Sequence, residues 1–285
     1  MALREIRGGV EMLTCHLDTY HWNRLAAGHL GADRFRDAVR HSRIAPVLSL
    51  IHMLEFASRV PDTTRAVVGG FIDEVMALGT VKWIHLRGSI EAAEYRNEFS
   101  RFMGWPAPSI QVFERTLTDT MPLPVDGATE ASWRREPITV QLESLHTSAD
   151  RLNGYLEFRR REHPSFVAKS VAEPWARALK PYEWSAFAPD GRILPRTRQM
   201  ELDFQKHFCL HRCPAVRLSY AYNTQWKKNP PALQDSDLED LNHLAAVAYC
   251  DVSFVDGRTQ NLLEQGRIYP LPKRNGEFED WLQDL

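Results

Sequence analysis

Acidic residues at the ends of apolar segments are the first feature with chemical content. Met12–Leu17 reads as a short buried strand that stops at Asp18, and Asp251–Asp256 as a strand that ends on Asp256. Glu55 sits in the first two turns of a helix that follows a third strand, Ile44–Ser49. Asp237 and Asp240 are three residues apart, on one face of a helix predicted over 235–250. Carboxylates gathered at one point repel one another and raise their own pKa values unless a cation neutralises them. Hard oxygen ligands select Mg²⁺ or Mn²⁺, which keep waters and engage phosphate oxygens. Such an ion lowers the pKa of a bound water and steadies the leaving oxygen of a phosphodiester. These residue types therefore suit metal-dependent hydrolysis of phosphate esters.

For the acids to meet, the elements around them must bring strand ends to one edge. Thr19 is an N-cap candidate, followed by Trp22, Leu25 and Ala26 at helical spacing, and a polar helix is expected over 32–42. Ser49 is a second N-cap candidate, before a helix with Leu50, Met53, Leu54 and Ala57 on one side. A helix over 63–78 has Gly79 as its C-cap, and Lys82–Leu86 then reads as a strand before a helix over 89–103. Strands separated by helices in this order predict an α/β fold, a three-layer α/β/α sandwich with a mostly parallel central sheet. Ligands of such sheets bind at the carboxyl ends of the strands.

The alternation resumes near 199, with helices over 199–213 and 214–225. The helix over 235–250 carries a buried stripe of Leu238, Leu241, Ala245 and Ala248. A strand, a short helix (258–265) and a last strand, Arg267–Pro270, follow. Residues 1–103 and 199–285 thus read as the core. Residues 104–198 read as a mainly helical insertion or cap, rich in Pro and Thr at first, helical in its spacing over 138–158, and proline-punctuated afterwards.

Each acid also fits a structural role. Asp18 and Asp256 suit loops or caps, Glu55 suits a solvent-facing helix position, and Asp235, Asp237, Glu239 and Asp240 complement a helix dipole. His207, Cys209, His211 and Cys213 suggest zinc, but on one helix the histidines and the cysteines point to different faces and cannot converge. A Gly-rich phosphate loop is lacking, which argues against an NTPase. Asp18-Thr-Tyr20 lacks the second aspartate of haloacid dehalogenase-type phosphatases.

The order of segments resembles the PIN-domain nucleases. Leu17-Asp-Thr-Tyr-His-Trp-Asn-Arg-Leu25 is similar to that family's first strand and helix, and Leu48–Glu55 to its second motif, which ends in a helical glutamate. Asp237–Asp256 is similar to the third and fourth motifs run together. The resemblance implies a PIN-like core over roughly 12–103 and 199–270. It makes Asp18, Glu55, Asp240 and Asp256 the metal-site and catalytic acids, with Asp237 and Asp251 as further ligand candidates. It implies a Mg²⁺- or Mn²⁺-dependent endoribonuclease in which a metal-activated water attacks phosphorus, in a toxin-like or defence setting. RNA is then the expected partner, with room for an inhibitor protein and for a homo-oligomer. The family's last strand often carries a threonine that Phe254-Val-Asp-Gly257 lacks. A PIN-like scaffold without activity, binding RNA or a protein, is the alternative from another class.

Composition bounds these readings. In 285 residues, 44% hydrophobic and 25% charged, a substantial core can form. The net charge of −2 supplies no global field for a polyanion, so RNA contacts must be local. Residues 131–198 hold 12 Lys and Arg against 8 Asp and Glu, among them Arg159, Arg160 and Arg161, interleaved with aromatic residues. That pattern suits single-stranded nucleic acid, and equally a solvated basic face around a small core. Without a signal-like or membrane-spanning apolar run, and with only four cysteines, the chain is expected to be cytoplasmic with reduced thiols.

Overall fold

The computed structural model describes residues 6–7, 10–59, 61–120, 136–147, 197–228, 237–267 and 271–285. After a small hairpin, β1 (Ile6–Arg7) with β2 (Val10–Glu11), the main sheet begins at β3 (Leu13–His16). β4 (Ile44–Ser49) lies parallel to it in a register that sets His16 opposite Val47. β5 (Lys82–Ile84) continues the parallel set, and β6 (Phe113–Glu114) closes that edge antiparallel. On the other side of β3 come β7 (Val252–Val255) and then β8 (Lys273–Arg274), both parallel. The order is β6-β5-β4-β3-β7-β8, so the chain builds outward from β3 in one direction and returns to build outward in the other. The reversal falls between β3 and β7. In open α/β sheets this is where a crevice forms at the carboxyl ends of the strands.

Side chains alternate across each strand, and the two faces bury different helices. Cys15, Ile44, Leu48, Trp83 and Phe254 share one cluster with Trp22, Leu25, Phe35, Phe56, Phe71 and Val75. That layer is built from α1 (Thr19–Ala26), α2 (Ala32–Arg40), α3 (Leu50–Arg59) and α4 (Asp62–Leu78). Val47, Ile84 and Val255 turn the other way, onto α5 (Arg87–Phe102), α8 (Pro214–Lys228), α9 (Asp237–Tyr249) and α10 (Gly257–Gln265). Helices on both faces of a mostly parallel sheet make the expected α/β architecture.

The stretch 104–198 is described only in part. Its β6 extends the sheet, and α6 (Ile138–Thr147) packs Ile138 and Leu142 into the same core as α3 and α4. Asp73 on α4 receives Ile138 N at 2.6 Å and Thr139 N at 3.2 Å, capping the incoming helix. Residues 121–135 and 148–196, with Arg159, Arg160 and Arg161, lie outside the described residues.

Several boundaries differ from expectation. The helix predicted over 199–213 ends early: α7 is Arg198–His207, and a 3₁₀ turn, Leu210–Arg212, follows. Glu98 causes the break, because its carboxylate receives Arg212 through two 2.8 Å bonds and Cys209 N at 3.2 Å. Of the last predicted strand, 268–270 lie outside the described residues, Arg267 is a turn residue with φ 53°, and β8 comes later in the chain. A terminal helix, α11 (Phe278–Gln283), was not anticipated, yet its Phe278 and Leu282 are fully buried in the main core. Among the described residues no helix is long and apolar enough to cross a membrane.

Candidate active site

Asp18 follows β3 and is the N-cap residue of α1, the place expected for Thr19. Its carboxylate does not cap the helix. Instead Oδ2 accepts from Asn275 Nδ2 at 3.0 Å, which aims the side chain across the strand edge toward β8. Asp256 follows β7 and does cap α10, taking Arg258 N at 2.6 Å, Thr259 N at 2.9 Å and Thr259 Oγ1 at 2.8 Å. Asp240 lies on α9, which crosses above the same edge. The three carboxylates line one cleft with His16, His243, Phe254, Val255 and Thr259. The cleft holds about 10 Å³, room for roughly one water or one ion.

Electrostatics mark Asp240 as the focus of the acids. Its carboxyl is pushed up to about 8, first by burial, then by the charges of Asp256, Asp18 and Glu55, against an opposing pull from His243. A carboxylate in that position is short of positive charge, as a cation site requires.

Glu55 is placed differently. It is buried on α3, and its Oε2 accepts both from Thr19 Oγ1 and from His243 Nε2, the latter at 3.3 Å. It does not line the cleft. Burial would raise its pKa, but the His243 bond and charge, with Thr19 and His52, bring it below the ordinary carboxylate range. Correspondingly His243, despite burial, is held above the usual imidazole range by Glu55, Asp18 and Asp240. Glu55 thus holds, from behind, the His243 ring that borders the cleft.

The remaining predicted acids separate. Asp237 opens α9, and its side chain is outside the described set. Asp251 is not brought to the site. It precedes β7 at the amino end of the sheet, where its Oδ2 takes Thr14 N at 2.8 Å and Thr14 Oγ1 at 2.7 Å. Asp251 is thus about 16 Å from Asp256 at the rise of a strand. The His/Cys stretch gives no converging ligands either. Cys213 is buried in an apolar cluster, and His207 Nδ1 bonds to the Asp203 backbone carbonyl.

Three histidines escaped the sequence reading. His16, His52 and His243 come from β3, α3 and α9, are all buried, and present ring nitrogens within 4.8 Å of one another. A signal for them was available. Each stands two or three residues from a predicted acid (His16 from Asp18, His52 from Glu55, His243 from Asp240), and on a helix three residues apart is the same face. Asn275, which holds Asp18, had no such signal. Neither a family model, a curated protein nor a solved structure matches this chain.

Proposed function

We propose that the protein is a divalent-metal-dependent ribonuclease of PIN-like design, acting at the cleft between the ends of β3 and β7. The observation that carries the reading is the convergence of Asp18, Asp240 and Asp256, from three separate elements, on one small cleft at the topological reversal of the sheet. The donor set fits the cation: these are hard oxygen ligands in a space of one ion, and Asp240 is destabilised in its charged form first by burial and then by its like-charged neighbours. When bound, Mg²⁺ or Mn²⁺ supplies the Lewis acidity that activates a water and offsets charge on the phosphodiester.

The chain's own residues set the geometry. Asn275 orients the Asp18 carboxylate, and the first turn of α10 orients that of Asp256. Each arrives with a fixed direction and little entropy left to lose. Glu55 serves as a positioning residue: it holds the His243 ring that borders the cleft. Its expected part as a direct ligand is replaced by this one.

The test is cleavage of single-stranded RNA with Mn²⁺ or Mg²⁺ by the wild type and by Asp18→Asn/Asp256→Asn. Metal-dependent cutting that falls about a hundredfold or more in the variant is the expected result. Undiminished cutting by the variant overturns the assignment. A second reading, a PIN-like scaffold that binds without cleaving, draws on the small size of the cleft. RNA binding without cleavage by either protein would favour it.

A further inference from the structure

We propose that His16, His52 and His243 form a nitrogen-ligated cation site of the Zn²⁺ class, adjoining the carboxylate cleft and distinct from it in ligand chemistry. Three buried imidazoles in mutual contact are costly to desolvate and gain little from one another, so their gathering calls for a further partner. Ring centroids are 4.5 Å apart for His52 and His243, 5.1 Å for His16 and His243, and 5.3 Å for His16 and His52.

The nitrogens are arranged as ligands are. His16 Nε2 and His243 Nδ1 are 3.2 Å apart. Two nitrogens on one tetrahedral zinc, each at about 2.0–2.1 Å, stand about 3.3 Å from each other. Metal-bound histidines characteristically give their other N–H to a carboxylate or a backbone carbonyl, which fixes the tautomer and leaves the inward nitrogen as a lone pair. Two of the three do this. His243 Nε2 faces Glu55 Oε2 at 3.3 Å, and His52 Nε2 faces the Leu17 carbonyl at 2.8 Å. That assigns His243 Nδ1 and His52 Nδ1 as the inward atoms. His52 Nδ1 also meets Ser49 N at 3.1 Å and Ser49 Oγ at 2.9 Å, contacts that a cation would replace. Among the described residues His16 Nδ1 is buried without a hydrogen-bond partner, and the ring's hydrogen-bond contact is the one from Nε2 to His243 Nδ1.

Glu55 then has a defined purpose as the orienting carboxylate of His243, itself secured by Thr19. Because His16 and His243 also line the carboxylate cleft with Asp240, a fourth ligand would come from that side. Imidazole ligation selects Zn²⁺, Co²⁺ or Ni²⁺ over Mg²⁺, which sets this site apart from the oxygen-ligated one.

The experiment is Co²⁺ and Zn²⁺ titration of the full chain, with X-ray absorption of the bound ion to identify its ligands. One ion per chain with imidazole scattering is expected in the wild type. It should persist in Asp18→Asn/Asp256→Asn and disappear in His16→Gln/His243→Gln, while Glu55→Gln weakens affinity about 10- to 100-fold. Oxygen-only scattering, no bound ion in the wild type, or imidazole scattering that survives the histidine double variant overturns the proposal. The wild-type spectrum decides even if a variant fails to fold. RNA cleavage with Mg²⁺ but no nitrogen-bound ion sinks this inference alone, and a nitrogen-bound ion without cleavage sinks the nuclease reading alone.

Discussion

Asn275 Nδ2 lies 3.0 Å from Asp18 Oδ2, a hydrogen bond between residues 257 positions apart. The Asn275 backbone carbonyl also faces His21 Nε2 at 3.1 Å, so the turn before α11 holds both the acid and the first turn of α1. Asn275→Ala should free the Asp18 carboxylate while leaving the His21 contact, which uses the backbone. The expected outcome is a fall of about tenfold in kcat for RNA cleavage with KM little changed, because the loss is of orientation. Steady-state kinetics check it, and a rise in KM alone would show that Asn275 contacts substrate.

Removing a charge from the cleft should affect stability oppositely with and without metal. In chelator, Asp18→Asn relieves repulsion on Asp240 and should unfold at a temperature equal to or above that of the wild type. With Mn²⁺ at about a hundred times its Kd, the wild type gains about 2.7 kcal/mol. The variant should gain far less. Thermal unfolding followed by circular dichroism reads both, and equal metal-induced shifts would place the ion elsewhere.

Away from the site, Glu94 should impose a pH dependence on stability. Burial raises its pKa to about 7, against hydrogen bonds from Tyr249 and from Val216 N and Ala215 N, and Glu91 adds to the rise. A carboxyl with a folded pKa above its unfolded value favours the protonated fold. The stability it contributes is complete below about 4.5 and is lost as pH rises through about 7. The size is of the order of 3 kcal/mol. Urea unfolding at pH 4.5 and pH 8 should show a loss in the wild type that is smaller in Glu94→Gln, whose side chain cannot ionise. Parallel profiles for the two proteins would refute this.

Gly69 on α4 tests how firmly α6 belongs to the core. A Cβ there would come within 2.9 Å of Thr139 Cα, a backbone atom that cannot turn aside. Gly69→Ala should lower stability by about 1–3 kcal/mol, against the gain that the same change brings to an open helix position. Gly70→Ala, where the added carbon meets nothing within 4 Å, is the internal control. Equal melting temperatures for the two variants would mean that α6 moves off α4 at little cost.

Features that depend on local pattern can be read from the chain alone. Apolar runs ending at Asp18, Ser49 and Asp256 were legible as strands, and the stripe Leu241 and Ala245 as a buried helix face, because period and burial are properties of short segments. The order of these segments was enough for a mostly parallel α/β sheet. The meeting of residues far apart in the chain depends on how the elements pack. Asn275 reaches Asp18, Thr19 and His243 occupy Glu55, and Glu98 ends α7 through Arg212. Asp251 shows the converse: five residues from Asp256 in sequence, it lies at the other end of the strand, bound to Thr14. Strand order also had to come from packing, since it places the reversal between β3 and β7 and so chooses which strand ends share a cleft. Hydrogen bonds and charges act over a few ångströms of space, and separation along the chain does not encode that distance.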